Sequence, residues 1–171
     1  VFLIGILVFI AGSAFCGLSG SMTGLILFRG LQGLGGGIVT TSVFTIVADL
    51  FPPQLRGRYM GIVTSVYGIS SIVGPLLGGV LTDYLSWRWI FYINIPIGAL
   101  AALLVVLFMP NFKAEGRRVE IDLSGTVFIV LALAPMLLAF SLAGSEYAWG
   151  SWQIIGMLLL SAVMLAVFVR V

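Results

Sequence analysis

Polar residues divide the chain into long stretches that carry no charge. These cover residues 1–28, 30–48, 59–82, 89–112, 123–145 and 147–169. A membrane-crossing helix needs about 20 consecutive apolar residues, so the pattern predicts six spans. Ser19, Gly20 and Ser21 break the first span from the second, residues 51–57 the second from the third, and residues 86–88 the third from the fourth. Residues 110–122 form the longest polar connection, and residues 144–151 turn the fifth span into the sixth. The stretches are apolar all round and not along one stripe, as a lipid surrounding demands of a helix.

Composition gives the same class. Hydrophobic residues make up 61% of the 171 and charged residues 8%, with a mean hydropathy of +1.23. A soluble domain carries about 25% charged residues to cover its core, so the lipid bilayer is this chain's solvent. The net charge of +2 is small and its basic residues are scattered, which excludes a nucleic-acid partner. The lone Cys16 lies within the first span, so there is no disulfide framework from which to infer a redox compartment.

Basic residues set the expected orientation. Arg56 and Arg58 lie in one connection, Lys113, Arg117 and Arg118 two spans later, and Arg170 at the far end, all on one side; the other side holds Arg88 alone. The positive-inside bias makes the richer side cytoplasmic and the first span outward-running. Trp87, Trp89, Tyr147, Trp149 and Trp152 crowd the opposite boundary as an aromatic belt. The chain opens on Val1 and closes on Val171 within apolar sequence, which reads as an internal piece of something larger. A signal-peptide reading of the first stretch lacks its basic n-region and cleavage site.

One ionisable side chain stands inside a span. Arg29 follows Met22, where the second helix is expected to begin, by a distance of roughly 10 Å along the axis. Its insertion there costs roughly 2.5 to 3.5 kcal/mol. Two readings offset that cost: a long side chain can reach back to the headgroups, or the guanidinium can face an aqueous cavity and meet a carboxylate or substrate. Gln32 and Gly33 follow at i+3 and i+4, putting a second polar group and a gap on the same helix face.

Glycines 30, 33, 35, 36 and 37 lack the Lys and Ser/Thr of a phosphate loop and suit close helix packing instead. In the third span Ser70, Gly74, Gly78 and Thr82 repeat every four residues as a small-residue stripe, around a Gly74-Pro75-Leu-Leu-Gly78-Gly79 segment that a membrane helix can use to bend and to pack. Enzyme chemistry has no materials here. There is no histidine or cysteine pair, and Asp49, Asp83, Glu115, Glu120, Asp122 and Glu146 all fall at span ends or in connections, so neither a metal site nor a hydrolytic triad can be assembled.

Taken together, the motifs carry a resemblance. Leu27-Phe-Arg29-Gly-Leu-Gln32-Gly33-Leu-Gly35 resembles the fourth-span motif of the major facilitator superfamily, and Gly74-Pro75-Leu-Leu-Gly78-Gly79 its fifth-span antiporter motif. Ser86-Trp-Arg-Trp-Ile-Phe-Tyr-Ile-Asn94-Ile-Pro96-Ile-Gly98 is similar to the start of the sixth span in the fourteen-span drug:proton antiporters of the EmrB/QacA type. The resemblance covers the whole chain. It implies an all-α, polytopic transmembrane helix bundle: spans three to six of an N-terminal bundle in residues 1–112, a cytoplasmic loop in 113–122, and two linker spans, seven and eight, in 123–171.

The resemblance further implies residue roles. Arg29 is the membrane-embedded arginine of proton coupling with Gln32 and Gly33 as companions. Ser70, Gly74, Pro75, Gly78 and Gly79 form the antiporter segment, with Ser70 standing where the motif usually has a glycine. Asp49, with Arg56 and Arg58 after it, belongs to the cytoplasmic gate. The implied activity is proton-driven efflux of a small hydrophobic or cationic substrate by alternating access in the plasma membrane, with no cofactor and with the remaining spans of the same transporter as partners. The short connection after Pro110 favours fourteen spans over twelve. A twelve-span transporter of another small solute, or the membrane domain of an ATP-driven exporter, are the alternatives, although the latter should carry long cytoplasmic helical extensions.

Overall fold

The computed structural model describes residues 1–109 and 122–170. Its helices are α1 (Phe2–Leu18), α2 (Met22–Leu50), α3 (Pro53–Tyr84), α4 (Trp89–Tyr92), α5 (Asn94–Phe108), α6 (Leu123–Leu142) and α7 (Trp152–Arg170). No strand is present among the described residues, so the all-α, polytopic architecture stands. Among the described residues, five segments are long and apolar enough to cross a membrane: α2, α3, α4 with α5, α6 and α7; α1 is apolar but shorter, at 17 residues. The chain forms two compact units, Val1–Phe112 and Lys113–Val171. The basic residues expected in the longest connection, Lys113, Arg117 and Arg118, lie outside the described residues.

In the first unit α1 is the hub, packing against α2, α4 and α5. The residues it buries are nearly all small: Gly5, Ile6, Gly12, Ser13, Cys16 and Gly17. A Cβ at Gly12 would stand 2.6 Å from the Gln32 backbone nitrogen, and one at Gly35 would run into the Phe9 backbone. Glycine at those two positions is therefore what lets the α1 and α2 backbones cross closely. Gly36 has more room, its Cβ position meeting only the Phe9 ring at 3.6 Å, while Gly30, Gly33 and Gly37 have nothing within 4 Å. The packing expected of the glycine run is thus concentrated at Gly35.

Helix ends follow local chemistry. Ser21 begins α2 by accepting the Gly24 N–H at 3.1 Å. The expected break at 51–57 is shorter than predicted: α3 starts at Pro53, so Arg56 and Arg58 lie in its first turns. The physical reason is that a proline at the first helical position has a preset φ and its missing N–H would be unpaired anyway, so Pro52-Pro53 starts a helix and does not prolong a loop. Arg56 Nε donates to the Phe51 carbonyl at 3.0 Å and the Phe51 and Tyr59 rings stack at 3.6 Å, which closes the α2–α3 corner.

The fourth predicted span is interrupted at Ile93. Pro96 has no N–H to offer the Tyr92 carbonyl four residues back, and the chain breaks α4 from α5 at that turn. By contrast α3 runs helically through Pro75.

In the second unit, α6 buries Gly125, Ala132 and Ala139, and α7 buries Ile154 and Ser161. Both sets recur every seven residues, the spacing of a left-handed two-helix seam. The α6–α7 connection begins one residue earlier than the sequence predicts and ends where expected: Ala143 already leaves the helix, and the turn runs to Ser151 before α7 starts at Trp152. Gly144 takes φ +81, a conformation that favours glycine, and its N–H donates to the Tyr147 carbonyl at 2.8 Å.

Asp122 caps α6, its Oδ1 accepting the Gly125 N–H at 2.7 Å and the Ser124 hydroxyl at 2.8 Å. The Gly125 N–H first, and the Ser124 hydroxyl second, hold this carboxyl below its ordinary value. Because the folded value is the lower one, the capping contribution is present above the ordinary carboxylate range and is lost as pH falls through the depressed value. Asp122→Ala should therefore lower the melting temperature of the full-length protein, and Asp122→Asn should retain most of the cap. A pH series carried below the depressed value should narrow the difference between wild type and Asp122→Ala.

Candidate functional site

Gly12 brings the backbone of α2 onto α1 at Gln32, and the next residue of α1 receives the Gln32 side chain. Gln32 Nε2 donates to Ser13 Oγ at 3.0 Å. Ser13 in turn donates its only proton to the Phe91 carbonyl at 2.9 Å, beside the α4–α5 break. Asn94 Nδ2, in the first turn of α5, donates to the same Ser13 oxygen at 3.1 Å and to the Ile90 carbonyl at 3.4 Å. Ser13 and Cys16 are fully buried and Gln32 is only 5% exposed. Such a polar cluster is tolerable only because its members satisfy one another, and no buried side-chain polar atom lacks a partner among the described residues.

Arg29 sits at the edge of this cluster. Its Nη1 donates to Gln32 Oε1 at 3.4 Å, and its Cζ lies 5.7 Å from the centroid of the buried Phe91 ring. The Cys16 thiol is 3.8 Å from the same Gln32 oxygen. The guanidinium thus has a polar companion one turn along its own helix and an aromatic face from α4. Arg29 itself remains exposed, and Gly33 opens onto free space.

The other predicted residues lie elsewhere in the unit. Ser70, Gly74 and Gly78 line one wall of a cleft of about 470 Å³ whose opposite wall includes Ile90, Ile93, Asn94 and Ile97. Gly74, Gly78 and Gly79 have nothing within 4 Å, so the close contact expected of this stripe is not made at these glycines among the described residues, where Gly74 and Gly78 border the cleft instead. Pro75 lies within the helical segment that carries this stripe. Asp49, Arg56 and Arg58 are exposed at the α2–α3 corner.

Sequence reasoning gave Ser13 and Asn94 no role. Two signals pointed to them: Gly12, Ser13, Cys16 and Gly17 make a small and polar face on an otherwise apolar helix, and Asn94 is the lone amide between Trp89 and Phe108.

The sequence model of the Major Facilitator Superfamily matches residues 1–171. The chain belongs to the Major Facilitator Superfamily. This superfamily chain is 43% identical over 167 residues to Multidrug resistance protein 3 of Bacillus subtilis (strain 168), an overlap of 98% of the chain and 32% of the relative. It is 37% identical over 171 residues to Multidrug transporter protein MdtP of the same organism, covering 100% of the chain and 31% of that relative. A fungal relative, MFS-type efflux pump MFS1 of Trichophyton rubrum (strain ATCC MYA-4607 / CBS 118892), is 37% identical over 177 residues, 99% of the chain and 33% of its own length. The chain therefore spans about a third of the curated relatives it matches, and membership in the superfamily makes it a multi-pass membrane segment.

Proposed function

We propose that this chain is spans three to eight of a fourteen-span, EmrB/QacA-type transporter of the plasma membrane that exports small hydrophobic or cationic compounds in exchange for protons. Relatives named for multidrug resistance and efflux support export of drugs. The observation that carries ion coupling is the placement of Arg29 against the buried Gln32 amide, a cation kept beside a polar partner and an aromatic ring within an apolar span. The apolar, aromatic and methionine-containing spans suit bulky substrates.

In this reading the helix bundles of the complete protein rock around a midplane site, and protons entering on one side exchange for substrate leaving on the other. Arg29, Gln32 and Gly33 act at the coupling step. Ser70, Gly74, Pro75, Gly78 and Gly79 supply the antiporter segment, and Asp49, Arg56 and Arg58 the cytoplasmic gate. The gradient is the only energy source, with no bound cofactor. For an uncharged substrate, each proton re-entering across 100 mV yields about 2.3 kcal/mol, enough to sustain roughly a fiftyfold substrate gradient per proton; for a monovalent cation exchanged one for one no net charge moves, and the pH difference alone drives export.

The test is dye efflux from cells expressing the full-length protein. Addition of a protonophore should collapse efflux to the level of cells without the transporter. Efflux that continues unchanged after the proton gradient is lost would sink the antiporter reading.

A further inference from the structure

We propose that Ser13 and Asn94 are positioning residues that lock the Gln32 amide with its carbonyl oxygen toward Arg29, a proposal that rests on the reading of Arg29 as the coupling residue. Hydrogen-bond direction decides the orientation. A side-chain amide can turn over and exchange its oxygen for its NH2, and only its partners decide which end faces where. Here the partners leave one arrangement.

The decision starts at the α4–α5 break. The Phe91 carbonyl is an acceptor only, so the bond at 2.9 Å must use the Ser13 proton. That leaves Ser13 Oγ with two lone pairs and no hydrogen to give. Both are taken by donors: Asn94 Nδ2 at 3.1 Å and Gln32 Nε2 at 3.0 Å. Gln32 must therefore present its NH2 to Ser13. Its Oε1 is then turned the other way, where it accepts from Arg29 Nη1 at 3.4 Å and lies 3.8 Å from the Cys16 thiol.

Were the amide to flip, its NH2 would meet the guanidinium and its oxygen would meet a Ser13 oxygen with no proton left. Neither contact is favourable. Asn94 matters because it fills the second lone pair of Ser13 while its other N–H is held on the Ile90 carbonyl. This fixes the Ser13 hydroxyl rotor on Phe91. Asn94 also lines the cleft that Ser70, Gly74 and Gly78 border on α3. Asn94 thus connects the wall of that cleft to Arg29 through Ser13 and Gln32 in turn.

The test uses the full-length transporter and an isosteric pair. Ser13→Val and Ser13→Thr add the same bulk, and only threonine keeps the hydroxyl. Ser13→Val should slow proton-driven efflux about tenfold, the size of one hydrogen bond to a charged group, whereas Ser13→Thr should stay within about twofold of wild type. Gln32→Leu and Asn94→Leu should each cost about tenfold, and Ser13→Val combined with Gln32→Leu should remain near tenfold, not the roughly hundredfold of independent sites.

Ser13→Ala, which adds no bulk, replaces Ser13→Val if the latter does not assemble, and should give the same non-additive loss. Equal behaviour of the threonine and valine variants, or losses that multiply, would overturn the proposal. Failure of the underlying reading looks different: wild-type efflux would then ignore a protonophore. In that event melting temperatures of the purified single and double variants still decide whether Ser13 acts through Gln32, since shifts that simply add would reject it.

Discussion

Arg29→Lys should reduce proton-driven efflux by the full-length transporter by at least about tenfold, although the charge is retained, because a guanidinium and an ammonium differ in the direction and number of their donors. The geometry makes the reason specific. Arg29 reaches Gln32 Oε1 with one terminal nitrogen while its planar group lies near the Phe91 ring. An ammonium can make either contact and not both in this arrangement. Arg29→Ala should lose more still, since it leaves the Gln32 carbonyl without its charged partner. Initial efflux rates at matched amounts of transporter in the membrane measure both. Full transport by Arg29→Lys would show that only net charge is needed and that the direction imposed by Gln32 is irrelevant.

The second large effect is structural. Gly35→Ala should destabilise the full-length protein by about 3 kcal/mol, at the upper end of what overpacking costs in a closely fitted core. The added carbon would meet the Phe9 backbone, which cannot swing aside as a side chain can. The neighbouring Gly36→Ala is the control, for its Cβ makes ordinary contact with the Phe9 ring at 3.6 Å and should cost little or nothing. Comparing the melting temperatures of the two purified variants isolates the backbone contact from any general dislike of alanine. Similar temperatures for both would mean that α1 and α2 do not cross as described. Because the same crossing presents Gln32 to Ser13, Gly35→Ala should impair efflux as well.

Much of this arrangement is legible in the sequence because lipid simplifies the reading. Charge-free runs mark crossings whatever their period, and the Ser19-Gly20-Ser21 break appears where α1 gives way to α2. The helix starts and stops are less transparent. Pro52-Pro53 reads as an interruption, yet its second proline is the first residue of α3. Pro96 reads as part of a continuous span, yet the chain breaks three residues earlier at Ile93. In both cases the effect of proline depends on whether an upstream carbonyl needs its missing N–H, and that depends on where the helix began.

Arg29 is conspicuous in sequence as the one charge inside a span, and Gln32 follows from helix spacing. Ser13 and Asn94 are not found that way. Their significance comes from four helix segments, α1, α2, α4 and α5, converging, and nothing in the local sequence of α1 says which turn of α5 it will meet. The small-residue stripe of α3 shows the opposite limitation. Its period is clear, but a stripe records only that some backbone can approach, and within this unit it faces a cleft.

The most direct test of the account is purified full-length transporter in sealed liposomes, given a pH gradient and no nucleotide. The prediction is that the gradient alone drives a cationic dye across the membrane, that a protonophore stops it, and that Arg29→Lys transports at no more than about a tenth of the wild-type rate. Dye movement that requires ATP, or that proceeds equally well without the gradient, would contradict it.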